Sequence, residues 1–281
     1  VLYCHFVRVP LFADFDNPEK YGFARASSPC VFFGCAITDM PQQAYKTTNV
    51  KIDTPDGETL GAWFTLSDTF YQAQPHPRQP LNSTGLAAAL RARPTVLYLH
   101  GNAGTRAVST RVAHARAFSS RLRTNVLALD YRGFGDSTGT PSEDGLTTDA
   151  GAAFEWLIEA GAAPEDVMLV GTSLGTGVAV QAAAQLLGAG RRMRGVALLA
   201  PFSSIAELLD TYYILGVVPL LKPLQVFPPG VVAAFKSLLR DRFDSLGRVP
   251  ELETRVLVAH AEDDWDIPAA HSAALFRAFV E

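Results

Sequence analysis

The residues of this sequence best suited to covalent chemistry are Gly171-Thr172-Ser173-Leu174-Gly175, which follow the apolar run Val167-Met168-Leu169-Val170 and precede a helical pattern through Leu187. A serine hydroxyl is a weak nucleophile until it is exposed and met by a base. A sharp turn from a buried strand into a helix exposes it, and the two flanking glycines allow the close backbone approach that such a turn demands. The helix N-terminus behind Ser173 also brings partial positive charge to the point where an oxyanion would form. The pattern therefore points to acyl transfer with Ser173 as nucleophile.

Acyl transfer needs two donors for the oxyanion and a carboxylate to orient the base. One donor is the Leu174 N–H. The other is expected in His100-Gly101-Asn102-Ala103-Gly104, directly after Leu97-Tyr98-Leu99, where the glycines let the Asn102 N–H come close. For the acid, the run Arg255 to Ala259 leads into His260-Ala261-Glu262-Asp263-Asp264-Trp265-Asp266-Ile267-Pro268, where four carboxylates compete. The turn pattern D-x-x-[IV]-P at a strand end selects Asp264, with Asp263 as the local alternative. A further loop, Asp130 to Ser137, reads as structural, and Arg132 is expected to pair with Asp136 across it.

These residues need a scaffold. Short apolar runs at Thr95–Leu99, Val126–Leu129, Val167–Val170, Val196–Leu199 and Val256–Ala259 read as buried parallel strands. Helical patterns at Ala107–Leu122, Gly145–Glu159, Leu174–Leu187 and Ala269–Val280 alternate with them. That alternation predicts the α/β class, a mostly parallel sheet covered on both faces. Asn49–Asp53 and Leu60–Leu66 flank Pro55-Asp56-Gly57 as an opening hairpin. Residues 1–48 read as an irregular arm and 49–281 as the folded domain. Gln72–Arg93 reads as a surface insertion with a short helix near Leu86–Leu90, and the apolar, proline-rich excursion at about 201–249 as a lid.

A net charge of −4 without basic runs excludes the electrostatic footprint of a nucleic-acid binder. Cys4, Cys30 and Cys35 match no zinc pattern and are odd in number, so they read as ordinary thiols, with Cys30 and Cys35 able to pair only in an oxidising lumen. The most apolar stretch, Tyr212–Phe235, is broken by Lys222 and four prolines and does not read as a membrane span. Asn82-Ser83-Thr84 fits the N-glycosylation pattern. The chain starts at Val1 without methionine, as expected of a processed or incomplete product.

The stretches Phe6–Pro10 (FVRVP), Leu97–Thr105 (LYLHGNAGT), Asp130–Ser137 (DYRGFGDS), Thr138–Glu143 (TGTPSE), Ser173–Val178 (SLGTGV) and His260–Asp264 (HAEDD) together resemble the membrane-anchored lysophosphatidylserine and monoacylglycerol lipases of the α/β-hydrolase-domain family. The resemblance spans almost the whole chain. It implies the α/β-hydrolase fold and a membrane-associated lipase, in animals an endoplasmic-reticulum enzyme facing the lumen, that acts on lipid esters without a cofactor. Thr172 departs from it, standing where the family usually has histidine.

In this fold the triad runs in the order Ser, acid, His, with the histidine one strand beyond the acid. His271 follows Asp264 but lies on the next predicted helix and is expected on its surface. His100 and His260 are out of order and read as packing or hydrogen-bonding residues, and His5, His76 and His114 stand without a constellation. The catalytic histidine is therefore expected past Glu281, after a further strand. A serine peptidase, an acyl-thioesterase and a non-catalytic binding module remain the rival readings.

Overall fold

A computed structural model describes residues 15–18, 45–75, 78–211, 213–214, 218–219, 230, 234 and 236–281. The cysteines, most of the N-terminal arm, His5, His76, and Tyr212, Leu220, Leu221 and Phe227 of the expected lid lie outside these residues.

Each of the apolar runs becomes a strand, but Val256–Ala259, expected to be buried, ends the sheet and alternates between half-buried and exposed, with Leu257 57% exposed. In chain order these are β1 (Thr47–Asp53), β2 (Thr59–Thr65), β3 (Thr95–Leu99), β4 (Asn125–Leu129), β5 (Val167–Thr172), β6 (Gly195–Leu199) and β7 (Val256–Ala259). They form one sheet in the spatial order β1-β2-β4-β3-β5-β6-β7. The opening hairpin is antiparallel and joins β4 antiparallel, whereas β4, β3, β5, β6 and β7 are mutually parallel. Continuous burial of β3 and β4 follows from cover on both faces, which is why they read as unbroken apolar runs rather than alternating ones.

The helices are α1 (Asp68–Gln72), α2 (Ser83–Ala92), α3 (Ser109–Ser120), α4 (Glu143–Glu159), α5 (Leu174–Gly188), α6 (Ile205–Thr211), α7 (Ser245–Arg248) and α8 (Ala270–Val280). The insertion after α1 carries more helix than its sequence suggested. Asn82 caps α2 by accepting the Gly85 N–H at 2.8 Å, so its side-chain oxygen is used in the fold while the residue stays exposed. The central helix α5 is apolar on nearly every side, as a helix buried behind a sheet must be.

Both ends of the excursion between β6 and β7 are seated in the core. Phe202 and Phe243 are each 1% exposed and press on α5 at Gly177, where a Cβ would come within 2.9 Å of the Phe202 ring and 3.0 Å of Phe243. The described parts between them include α6 and a two-strand ladder, Tyr213–Ile214 with Val218–Pro219.

The parallel register places the site. Leu99 of β3 lies beside Gly171 of β5, Thr172 beside Leu199 of β6, and Leu199 beside Ala259 of β7. The loops that follow these four strands therefore leave the sheet side by side along one edge. In open α/β sheets that carboxyl edge is where ligands bind.

Candidate active site

Ser173 occupies the single-residue bend between β5 and α5 with φ 52° and ψ −120°. A non-glycine residue held there is strained by roughly 1–3 kcal/mol, and close packing enforces it. A Cβ at Gly171 would stand 2.2 Å from the Gly175 carbonyl oxygen, and one at Gly175 would stand 2.0 Å from that of Leu99. The bend is tied down on both sides: the Ser173 N–H donates to Leu199 O at 3.0 Å, and the Thr176 hydroxyl donates to Ser173 O at 2.6 Å. The Ser173 side chain is half-buried, and its hydroxyl makes no hydrogen bond among the described residues. The Leu174 N–H, first of α5, meets no backbone acceptor among them either.

The loop after β3 is pressed against this bend. A Cβ on Gly101 would lie 3.3 Å from Ser173 Cβ, 3.3 Å from Thr172 O and 3.8 Å from Ser173 Oγ. The structure thus brings Ser173, Leu174 and the segment His100 to Gly104 together. Ala103 and Gly104 have φ of 58° and 66°, and the Asn102 side chain accepts the Ala103 N–H at 2.9 Å.

The loop's carbonyls point back into the protein. Tyr131 donates its hydroxyl to His100 O at 3.0 Å. Nη2 of Arg111, on the first turn of α3, donates to Gly101 O at 2.9 Å, to Asn102 O at 3.2 Å and to Ala103 O. Nothing in the sequence distinguished Arg111 from its neighbours Arg106 and Arg116. Burial pulls its pKa below the ordinary arginine value, although Asp130 counteracts this.

His100 is 1% exposed, with Nδ1 2.7 Å from Gly101 O and Nε2 3.1 Å from Asp130 Oδ1. Burial, assisted by the positive Arg111, lowers its pKa despite Asp130. Asp130 is itself fully buried. Burial raises its pKa, but the Arg106 guanidinium at 2.7 Å and the His100 ring outweigh that and hold it below the usual carboxylate range. Arg106 also takes Asp136 Oδ1 at 2.7 Å and Asn49 Oδ1 at 2.8 Å.

The expected pairing of Arg132 with Asp136 is not made. Gly133 and Gly135, both at positive φ, turn the backbone so that the two side chains leave in different directions. Arg132 reaches α4, bonding Asp149 Oδ1 through Nε at 2.8 Å, and Asp56 of the β1–β2 turn at 2.7 Å. Asp136 reaches Arg106 and Lys51, the latter at 2.6 Å.

Asp264 follows β7 and is 20% exposed. Its Oδ1 accepts the N–H groups of Asp266 at 3.0 Å and Ile267 at 2.9 Å, and its Oδ2 lies 3.4 Å from His260 Nε2. Asp263 and Glu262 are exposed. Asp264 shares the carboxyl edge with Ser173 but is separated from it by β6. Leu199 and Ala200 of that strand end bridge the gap: Ser173 N–H bonds Leu199 O, and Ala200 N–H bonds Ala259 O.

The histidines that are described turn elsewhere. His114 accepts or donates at Tyr98 Oη, 2.8 Å away, and His260 holds Ser272 Oγ and Ile267 O, the latter at 2.7 Å. His271, expected on a helix surface, is instead 7% exposed, with Nδ1 2.8 Å from Ser203 Oγ. The reason is the face on which α8 packs: His271, Ser272 and Leu275 turn inward, while Phe276 and Val280 are 57% and 64% exposed.

Comparison with known proteins agrees with this architecture. Residues 94–221 match the family model described as the alpha/beta hydrolase fold. Human Protein ABHD12B is 32% identical over 281 residues, 99% of this chain and 68% of that protein. Rat lysophosphatidylserine lipase ABHD12 is 31% identical over 275 residues, 95% of this chain but only 60% of the relative's own length. Among solved structures, an alpha-beta hydrolase from Vibrio vulnificus superposes with a TM-score of 0.60 at 19% identity, over 84% of this chain and 70% of that one. The Pyrococcus furiosus esterase Pf2001 gives 0.56 at 17%, over 89% and 82%. At these identities the structures speak for the fold alone.

Proposed function

We propose that this chain, which belongs to the α/β-hydrolase family of ABHD12B and ABHD12, is a serine hydrolase that cleaves the carboxylic ester of a lysophospholipid or monoacylglycerol. The observation that carries the reading is the strained Ser173 bend with the Gly101 loop packed directly against it. A residue is kept in so unfavourable a conformation where the exposure of its side chain is worth the strain.

In this reading Ser173 Oγ attacks the ester carbonyl while a histidine takes its proton, and the Leu174 and Asn102 amides hold the oxyanion. The histidinium then protonates the departing glycerol oxygen, water attacks the acyl-serine, and the fatty acid leaves. Asp264 orients that histidine and stabilises its cation. We assign the base to a histidine other than the four described, since each of those is engaged elsewhere, and place it after Asp264 as the order of this fold requires. Serine, histidine, carboxylate and amides suffice for this chemistry without a cofactor.

The names of the relatives support a lysophospholipid substrate, and the apolar residues of the excursion suit an acyl chain. A substrate that resides in a bilayer supports a membrane location, and we extend the proposal to the endoplasmic reticulum on the resemblance above.

The test is a fluorophosphonate label on the natural protein, followed by a panel of lysophospholipids, monoacylglycerols, peptides and acyl-thioesters. Labelling that is lost in Ser173→Ala, with turnover of the lipid esters, is expected. No labelling would favour a binding module, and turnover of peptides or thioesters alone would defeat the lipase reading.

A further inference from the structure

Arg111 is a buried cation whose hydrogen-bond partners are main-chain oxygens. It is 8% exposed, and no carboxylate lies within 4.0 Å of it among the described residues. Its Nη2 gathers the carbonyls of Gly101, Asn102 and Ala103, three consecutive residues. Its Nη1 is buried without a partner. With Tyr131 on the preceding carbonyl of His100, every carbonyl from residue 100 to 103 is held from behind.

When successive carbonyls of a tight loop converge on one side, their amides are directed to the other, and a concave set of N–H groups is an anion site. The Ala103 N–H is taken by the Asn102 side chain, and Gly101, within this same segment, turns the face that would carry a side chain toward Ser173. Asp130 favours the Arg111 charge without touching it, and the groups in direct contact are three neutral carbonyls, a weak substitute for a carboxylate. A role confined to folding leaves that choice of partners unexplained.

We infer that Arg111 is the positioning residue of the oxyanion loop: it fixes the direction of the Asn102 amide and places a low-dielectric positive charge behind the developing oxyanion. The inference rests on the Ser173 reading above and deepens it. All three contacts come from Nη2, which the rigid guanidinium plane holds in one orientation; a lysine ammonium on a flexible stem lacks that fixed orientation. Both effects act on charge that exists only in the tetrahedral state, so they belong in kcat rather than in substrate binding.

The experiment compares wild type, Arg111→Lys and Arg111→Met in the natural protein, with active sites counted by fluorophosphonate titration. Arg111→Met is expected to lower kcat about a hundredfold, the effect of losing one oxyanion donor, with KM within about twofold. Arg111→Lys should fall between it and wild type. Affinity for a long-chain trifluoromethyl ketone, whose serine adduct bears the oxyanion, should fall by the same factor as kcat/KM. A structural role would not produce that parallel.

Unchanged kcat per titrated site in a folded Arg111→Met, or lost activity with full inhibitor affinity, overturns the inference and leaves the Ser173 reading standing. If the methionine variant does not fold, the lysine variant carries the same test. Absence of labelling in wild type removes the parent reading and this one with it.

Discussion

Gly101→Ala perturbs the contact on which the site depends by a single methyl group. Gly101 is not at positive φ, so alanine is tolerated by the backbone and the effect is one of space. The new Cβ would stand 3.3 Å from Ser173 Cβ and from Thr172 O, a few tenths of an ångström inside the usual carbon contact of about 3.5–4.0 Å. The loop cannot simply retreat, because Tyr131 and Arg111 hold its carbonyls. Nor can the elbow, whose glycines already touch backbone. The strain of such overpacking is of the order of 1 kcal/mol in stability. Its catalytic effect is larger in proportion, since an oxyanion donor works over a window of about 2.7–3.1 Å and a shift of a few tenths moves it out. We expect kcat for a short-chain nitrophenyl ester to fall about ten- to a hundredfold, with KM within about twofold and a modest drop in the melting midpoint. Gly151→Ala is the control: it lies inside α4 with open space around its Cβ, and should gain about 0.5–1 kcal/mol with kcat unchanged. A folded Gly101→Ala enzyme with wild-type kcat would refute the claim that this loop and the Ser173 bend act as one unit.

The other expectations concern stability. His100, His114 and His271 all have their pKa lowered by burial from the ordinary 6.5. The unfolded chain therefore binds more protons just below that value, so stability rises with pH through this window and is lost as pH falls beneath about 6.5. Urea midpoints at pH 7.5, 6.5 and 5.5 should decline in that order, and a flat or inverted series contradicts the burial argument. Ser173→Gly should abolish hydrolysis yet stabilise: release of roughly 1–3 kcal/mol of strain exceeds the roughly 0.5–1 kcal/mol entropic cost of glycine. A melting point about 2–4 °C higher is expected, and a lower one would mean that the bend is not strained.

Much of this was legible in the sequence because it depends on local pattern. The apolar runs of β3, β5 and β6 and the glycines at 171 and 175 carry their structural demands within a few residues, so strand, bend and helix could be read together. The turn at Asp264 is similarly local, since a carboxylate that caps its own turn must stand two and three residues before the N–H groups it accepts. What could not be read was long-range. Arg132 and Asp136 are neighbours in sequence, yet their partners come from α4, the β1–β2 turn, β1 and the segment between β3 and α3, which only the sheet order brings near. His271 was misplaced because its partner Ser203 lies after β6, 68 residues away. Arg111 carried no sequence signal at all, as its partners are main-chain carbonyls that any residue supplies.

The division between local and long-range contacts bears on how a strained serine persists. The Ser173 bend is held by groups that belong to different parts of the chain: Leu199 O from β6, Thr176 from α5, and the backbone of Leu99 against Gly175. Each is anchored in its own strand or helix, so none can relax to relieve the torsion at Ser173 without disturbing the sheet. The loop that faces it is fixed in the same manner, from α3 through Arg111 and from the segment after β4 through Tyr131. A weakened anchor in any of these elements should therefore loosen the geometry between Ser173 and Gly101 before it unfolds the domain. Loss of turnover should precede loss of secondary structure as denaturant is raised, and coincidence of the two transitions would show that the site is no softer than the sheet that carries it.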